Sequence, residues 1–158
     1  MRASTPLAEA IIEQAAEAIV FANRDGVIER WNEAAVAMFG FPAAEAIGQR
    51  LDLMIPERLR EAHWRGFNAA MAEGKTRLGG RATLTRALSK TGDKLYVEMS
   101  FALIVDEGGT ALGSVAVARD VTARIERGKA AAESGVEPDT TGVEPGAASV
   151  APGRRGHR

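Results

Sequence analysis

A chain of 158 residues, 46% of them apolar, has the size and balance of one globular domain with a tail, and its 20 basic against 21 acidic residues give no field that would draw it to nucleic acid or to an acidic membrane surface. It has no cysteine, which excludes disulfides, thiolate metal sites, a cysteine nucleophile and a photochemical cysteine adduct. No apolar run approaches the ~20 residues that span a bilayer, and Glu9 and Glu13 interrupt the layout of a signal peptide, so a cytoplasmic protein is expected.

Leu7, Ile11 and Ala15 form one stripe of a short amphipathic helix within residues 1–17, with Glu9, Glu13 and Glu17 off it. Ile19 to Ala22 reads as a strand, Asp25-Gly26 as a tight hairpin and Val27 to Trp31 as the partner strand. Asn32 is a good helix N-cap, and Glu33 sits where the helix dipole favours an anion. Ala34 to Phe39 make a short helix ended by Gly40, and Pro42 to Ile47 another helical turn closed by Gly48.

The main helix is expected from Glu57 to Ala72, ended by Gly74. On it Leu59, His63, Phe67, Ala70 and Met71 recur at three- and four-residue steps, while Glu57, Arg58, Arg60, Glu61 and Arg65 fall elsewhere. That places an imidazole on the inward face. Such a group titrates near neutral pH and can ligate a metal, or it can simply pack in the core.

Three longer strands follow, at about Leu78–Leu88, Lys94–Val105 and Ala111–Arg119, with turns at Thr91-Gly92-Asp93 and Glu107-Gly108-Gly109. In the middle one Leu95, Val97, Met99, Phe101 and Leu103 fall on one face and Tyr96, Glu98 and Ser100 on the other, a clean period of two. Gly79-Gly80 is either a bulge or a close backbone approach to a ligand. Trp31 is expected beside the sheet and Trp64 on the flank of the main helix. From Gly128 to Arg158 the chain is Gly, Ala, Pro, Glu, Ser and Thr with valine as the only sizeable apolar residue, and Gly135-Val136-Glu137-Pro138 recurs as Gly142-Val143-Glu144-Pro145. This segment buries too little to offset its ordering entropy and is expected to be a disordered tail.

Two strands, several short helices, then three strands make an α+β domain, a five-stranded antiparallel sheet with helices on one face. The helical insert must cross from one sheet edge to the other, which builds a cavity between the layers where a small molecule can sit. No paired-carboxylate or Ser-His-Asp pattern is present and His157 is in the tail, so an enzyme is not expected.

Asp25-Gly26, Trp31-Asn32-Glu33-Ala34-Ala35, Phe39-Gly40-Phe41, Ile47-Gly48, Met54-Ile55-Pro56, Thr91-Gly92 and Arg119-Asp120-Val121-Thr122 together resemble the PAS sensory domain, over residues 18–127 with the N-terminal helix before it. The resemblance implies a signalling module. Its ligand sits between the main helix and the sheet, it dimerises through the N-terminal helix and outer sheet face, and its output passes through the closing segment, here Asp120 and Thr122. Read locally, Asp120 is a helix cap and Thr122 a first-turn residue.

The stretch around His63 is similar to oxygen-sensing haem PAS domains, in which an Ile/Met-Pro segment and a short basic helix precede the proximal haem histidine. His63 then stands at the iron-ligating position of a haem b site, and Leu78, Met99 and Phe101 line its distal side. Met99 is a thioether able to act as a sixth ligand in such a site, while its place in the strand reads as an inward residue packing the core. The subgroup's distal arginine falls at Thr83, with Arg81 nearby. Ala69 takes the place of a basic residue and Gly66 that of an aromatic one. Loss of the arginine points away from oxygen to carbon monoxide, nitric oxide or redox sensing. A flavin is the second cofactor candidate. The alternative is a cofactor-free dimerising adaptor with its cavity filled by its own side chains. With no output domain read in the chain, the expected partners are a second copy, through Leu7 and Ile11, and a separate kinase or regulator acted on in trans.

Overall fold

The computed structural model describes residues 6–76 and 79–135. The elements run α1 (Leu7–Gln14), β1 (Ala18–Asn23), β2 (Ile28–Trp31), α2 (Glu33–Phe39), α3 (Ala43–Ala46), a 3-10 turn (Leu51–Met54), α4 (Glu57–Glu73), β3 (Thr83–Leu88), β4 (Lys94–Val105), β5 (Ala111–Asp120) and α5 (Thr122–Glu133). The five strands form one antiparallel sheet in the order β2-β1-β5-β4-β3. The first hairpin therefore sits at one edge and β3 at the other, and the segment α2–α4 crosses the sheet between them, as the order of elements predicted.

Parity decides which side chains enter the core. Ala18, Val20 and Ala22 of β1, Ala116 and Ala118 of β5, and Val97 and Met99 of β4 are buried on the inner face. The pairings Val20 with Ala116 and Met99 with Ala118 set them in adjoining rows. At the β2 edge the core is closely filled. Ile28, Ala35 and Phe39 are fully enclosed, the Trp31 and Phe39 rings lie 5.3 Å apart, and the Trp31 indole N–H donates to Phe41 O at 3.0 Å.

Asn32 does more than cap α2. Its Oδ1 accepts from Ala35 N at 3.0 Å and Ile19 N at 2.9 Å, and its Nδ2 donates to Ile12 O at 2.9 Å and Glu17 O at 3.0 Å. All four hydrogen-bonding positions of the buried amide are used. The end of α1, the strand β1 and the start of α2 are thus tied to one side chain.

Three boundaries differ from the sequence reading. The N-terminal helix stops at Gln14, because Ala15 is already extended and leads into β1. β3 begins at Thr83 and not at residue 78, because Gly79 and Gly80 adopt positive φ of 57° and 78° and turn the chain first. The tail expected from Gly128 is helical as far as Glu133. The alanines at 130–132 are the best helix formers, and one Gly at about 1 kcal/mol does not stop a helix so supported. The remainder of that expected tail, residues 136–158, lies outside the described residues.

Candidate functional site

α4 enters after Ile55-Pro56, with Pro56 at its N-cap and Gly74, at φ 73°, closing it. Phe67 and Met71 on its inner stripe are buried, and His63, one turn before Phe67, is half-buried. The helix stands off from the sheet beneath it. The facing strands carry small side chains, Ala22, Ala87, Ala116, Ser114 and Thr85. Short side chains below and a raised helix above leave a cavity of about 560 Å³, within the usual span of ~300–1,000 Å³ for small-molecule sites.

His63 forms part of its wall. The ring meets Trp64 edge-on at 4.9 Å and lies 6.1 Å from Phe67. Its Nδ1 is buried with no hydrogen-bond partner. Withdrawal from water pulls the imidazole pKa below its ordinary value, a shift the Asp52 carboxylate partly opposes. A neutral imidazole with an unused nitrogen is a donor in want of a partner. Of the residues the sequence placed on the distal side, Met99 and Phe101 line the same cavity from β4. Leu78 lies outside the described residues. Thr83 opens β3 opposite Met99, Arg81 is in the exposed stretch before it, and Ala69 lines the cavity.

The sequence placed Trp64 on the flank of α4 and missed what it does there. Its indole N–H donates to Asp52 Oδ1 at 2.8 Å, and the Arg50 guanidinium lies 4.3 Å from its ring centroid. A Cβ on Gly26 would come within 2.2 Å of the Trp64 ring, so the hairpin turn receives that ring only because residue 26 is glycine. Trp64 thereby holds α4 against the hairpin and the 3-10 turn, and sets the attitude of its neighbour His63. The only signal for this was the Gly of the turn, which hairpin chemistry alone already accounted for.

Asp120 and Thr122 meet at the exit of the sheet. Asp120 Oδ1 accepts from Thr122 N at 2.9 Å, and Thr122 Oγ1 accepts from Tyr96 N at 2.9 Å while Val121 N donates to Tyr96 O at 2.9 Å. The start of α5 is thus sewn to β4. Farther along, Arg124 pairs with Glu98 at 3.2 Å and the Lys129 ammonium donates to the Tyr96 hydroxyl, which lowers the phenol pKa. Tyr96 and Glu98 alternate in β4 with Val97 and Met99, so one strand meets α5 with one face and the core with the other.

A protein-family model described as the PAS fold matches residues 7–121. Among curated proteins, the oxygen sensor protein DosP of Escherichia coli (strain K12) is 28% identical over 97 residues, 61% of this chain and 12% of that protein. An uncharacterized protein of Azorhizobium caulinodans is 30% identical over 120 residues, 73% of this chain and 16% of its own length. The chain thus spans less than a fifth of the curated relatives it matches. Among solved structures, a PAS domain from Colwellia psychrerythraea superposes with a TM-score of 0.65 at 24% identity, over 75% of this chain and 97% of that one. An RNA-binding light-oxygen-voltage receptor superposes at 0.63 and 20% identity, over 82% of this chain and 36% of that one. At these identities the likeness to the solved structures is one of fold.

Proposed function

Since this chain belongs to the PAS family, we propose that it is a sensory module that takes a small ligand or cofactor into the cavity under α4 and passes on its occupancy by protein contacts, without turnover. One observation carries this reading: a mostly apolar cavity of about 560 Å³ with the half-buried His63 in its wall. The Escherichia coli oxygen sensor among its relatives supports gas sensing as the input.

The residues present fit haem b. Among the described residues no three His, Cys, Asp or Glu side chains lie close enough to hold a bare ion, whereas an iron porphyrin asks the protein for only one or two axial donors. His63 would hold the iron, the buried Phe67 and Met99 and the partly buried Phe101 would exclude water around it, and Arg65 and Lys75 are exposed residues of the same cavity lining that could meet propionates. When bound, haem supplies an iron that takes up a diatomic gas or changes redox state. Burial lowers the His63 pKa and so favours the neutral ring, in which one nitrogen carries a lone pair that can ligate, and Trp64 holds α4 and therefore the imidazole in place. β4 carries Met99 to the cavity and Tyr96 to the root of α5, so Thr122 and Asp120 sit where a shift of that strand is felt.

A flavin is the second cofactor reading, in a non-covalent redox role because the chain has no cysteine. The other functional reading is a cofactor-free adaptor. Leu7 and Ile11, 75% and 60% exposed on α1, favour a contact with a second copy in either case. No helix among the described residues is long and apolar enough to cross a membrane.

The test is the visible spectrum of the purified chain after expression with haem supplementation. A Soret band that shifts or is lost in His63→Ala is the expected result. A colourless chain that also fails to take up added haemin overturns the haem reading and leaves the adaptor.

A further inference from the structure

One wall of the cavity is α4, and Gly66 stands in the middle of it. Ala62 lies one turn before Gly66, and Ala69 and Ala70 one turn after, at the three- and four-residue steps that share a helix face. All four line the cavity. Over these two turns that face carries nothing longer than a methyl group, and at residue 66 not even that. Across the cavity the sheet presents Ala22, Ala87 and Ala116. Two surfaces with almost no side chains therefore face each other, and the space between them is a slot.

Nothing in the fold itself asks for glycine at 66. The residue lies inside a 17-residue helix and its φ is not positive. A Cβ built there meets no atom within 4 Å. Gly26 and Gly113 differ, because a Cβ on either would strike the Trp64 ring or the Ala22 carbonyl oxygen. Glycine is the poorest helix former after proline, so residue 66 weakens α4. A glycine that weakens its helix, relieves no clash within the chain and opens onto a cavity makes room for an occupant.

We propose that Gly66 is the specificity-determining residue of the cavity, its bare backbone letting a flat, fused-ring body lie against α4 in preference to a slim chain. This rests on reading the cavity as a ligand site and adds the shape of what it takes. A planar body touches both bare surfaces with its two faces, and the many small dispersion contacts add up. A slim chain meets one strip of each wall and gains little from the missing side chain. Bulk at residue 66 projects into the slot and takes the planar body's place.

The experiment titrates pyrene, a flat fused-ring hydrocarbon, and diphenylhexatriene, a slim rod, into the whole chain by fluorescence. Gly66→Leu is expected to lower pyrene affinity about tenfold and diphenylhexatriene affinity by less than about threefold. Gly66→Ala shows the same order with a smaller loss, and its denaturation midpoint rises because the helix gains a better former; it carries the test should Gly66→Leu not fold. Gly128→Ala is the control. Gly128 is inside α5, also has open space around it and lies away from the cavity, so this variant binds pyrene as the wild-type chain does. Unchanged pyrene binding in both Gly66 variants overturns the proposal and leaves the cavity as a ligand site. Equal losses for the two probes overturn the selection by shape. A lowered midpoint in Gly66→Ala also overturns the proposal, because the fold itself would then require the glycine. Binding of neither probe to the wild-type chain overturns the ligand site and the proposal together.

Discussion

At the β2 edge of the sheet, Ile28, Ala35 and Phe39 are enclosed and Trp31 closes over them. Towards the β3 edge, strands of the same sheet present Ala22, Ala87 and Ala116 to a helix that stands away from them. Both regions obey the same inward parity and draw on the same strands, so parity does not distinguish them. Side-chain volume does. Aromatic rings fill the space between α2 and β1, while alanines under α4 leave it open. One end of the layer holds the fold together and the other holds room for a guest, and the two are separable by mutation because different residues carry them.

The largest expected effect tests that separation. Phe39→Ala should cost about 3–5 kcal/mol in chemical denaturation, because a fully enclosed ring leaves a void that its neighbours cannot close. Ala116→Leu puts volume into the open end, and should be neutral or stabilising by up to about 2 kcal/mol while weakening uptake of an apolar probe. Equal destabilisation by the two substitutions would erase the distinction between the ends. A smaller effect is expected at the exit of the sheet. Thr122→Val removes the acceptor of Tyr96 N and should cost about 1 kcal/mol, read as faster amide hydrogen exchange along α5 with the β2 end unchanged.

The smallest effect concerns pH. Burial holds the His63 pKa below its ordinary 6.5, so the unfolded chain binds the extra proton first as pH falls. The stability tied to this group is therefore complete above about pH 6.5 and is lost as the pH drops from there towards the folded value. His63→Leu should flatten that decline, measured as the change in denaturation midpoint between about pH 7.5 and about pH 5.5. An unchanged slope would mean that the imidazole is as well hydrated in the fold as out of it.

Much of this is legible in the sequence itself. The alternation from Leu95 to Leu103 sent Val97 and Met99 inward, Asn32 announced the start of α2, Asp25-Gly26 announced the hairpin, and the stripe through Leu59, His63 and Phe67 turned the imidazole towards the interior. These are local periodicities and local hydrogen-bond chemistry. What stayed hidden depends on contacts between distant segments. The seat of Trp64 on Gly26, the reach of Asn32 back to Ile12 and Glu17, and the clamp of Thr122 on Tyr96 follow from the closed fold. Composition also misplaced the end of α5. It registered the glycines and prolines beyond Gly128, while the alanines there and the contacts of Arg124 and Lys129 with β4 extend the helix to Glu133.

The saturated amide of Asn32 has a mechanical corollary. Two of its bonds reach back to the carbonyls of Ile12 and Glu17, on either side of the link between α1 and β1. Pivoting α1 about that link would break the bond from the Asn32 amide to Ile12 O, at a cost of about 1 kcal/mol. The first helix is therefore no slack leash. Its C-terminal end is pinned to a buried amide of the core while its Leu7 and Ile11 flank stands in solvent, so a body bound to that flank would be joined to the start of β1 and α2 through Asn32.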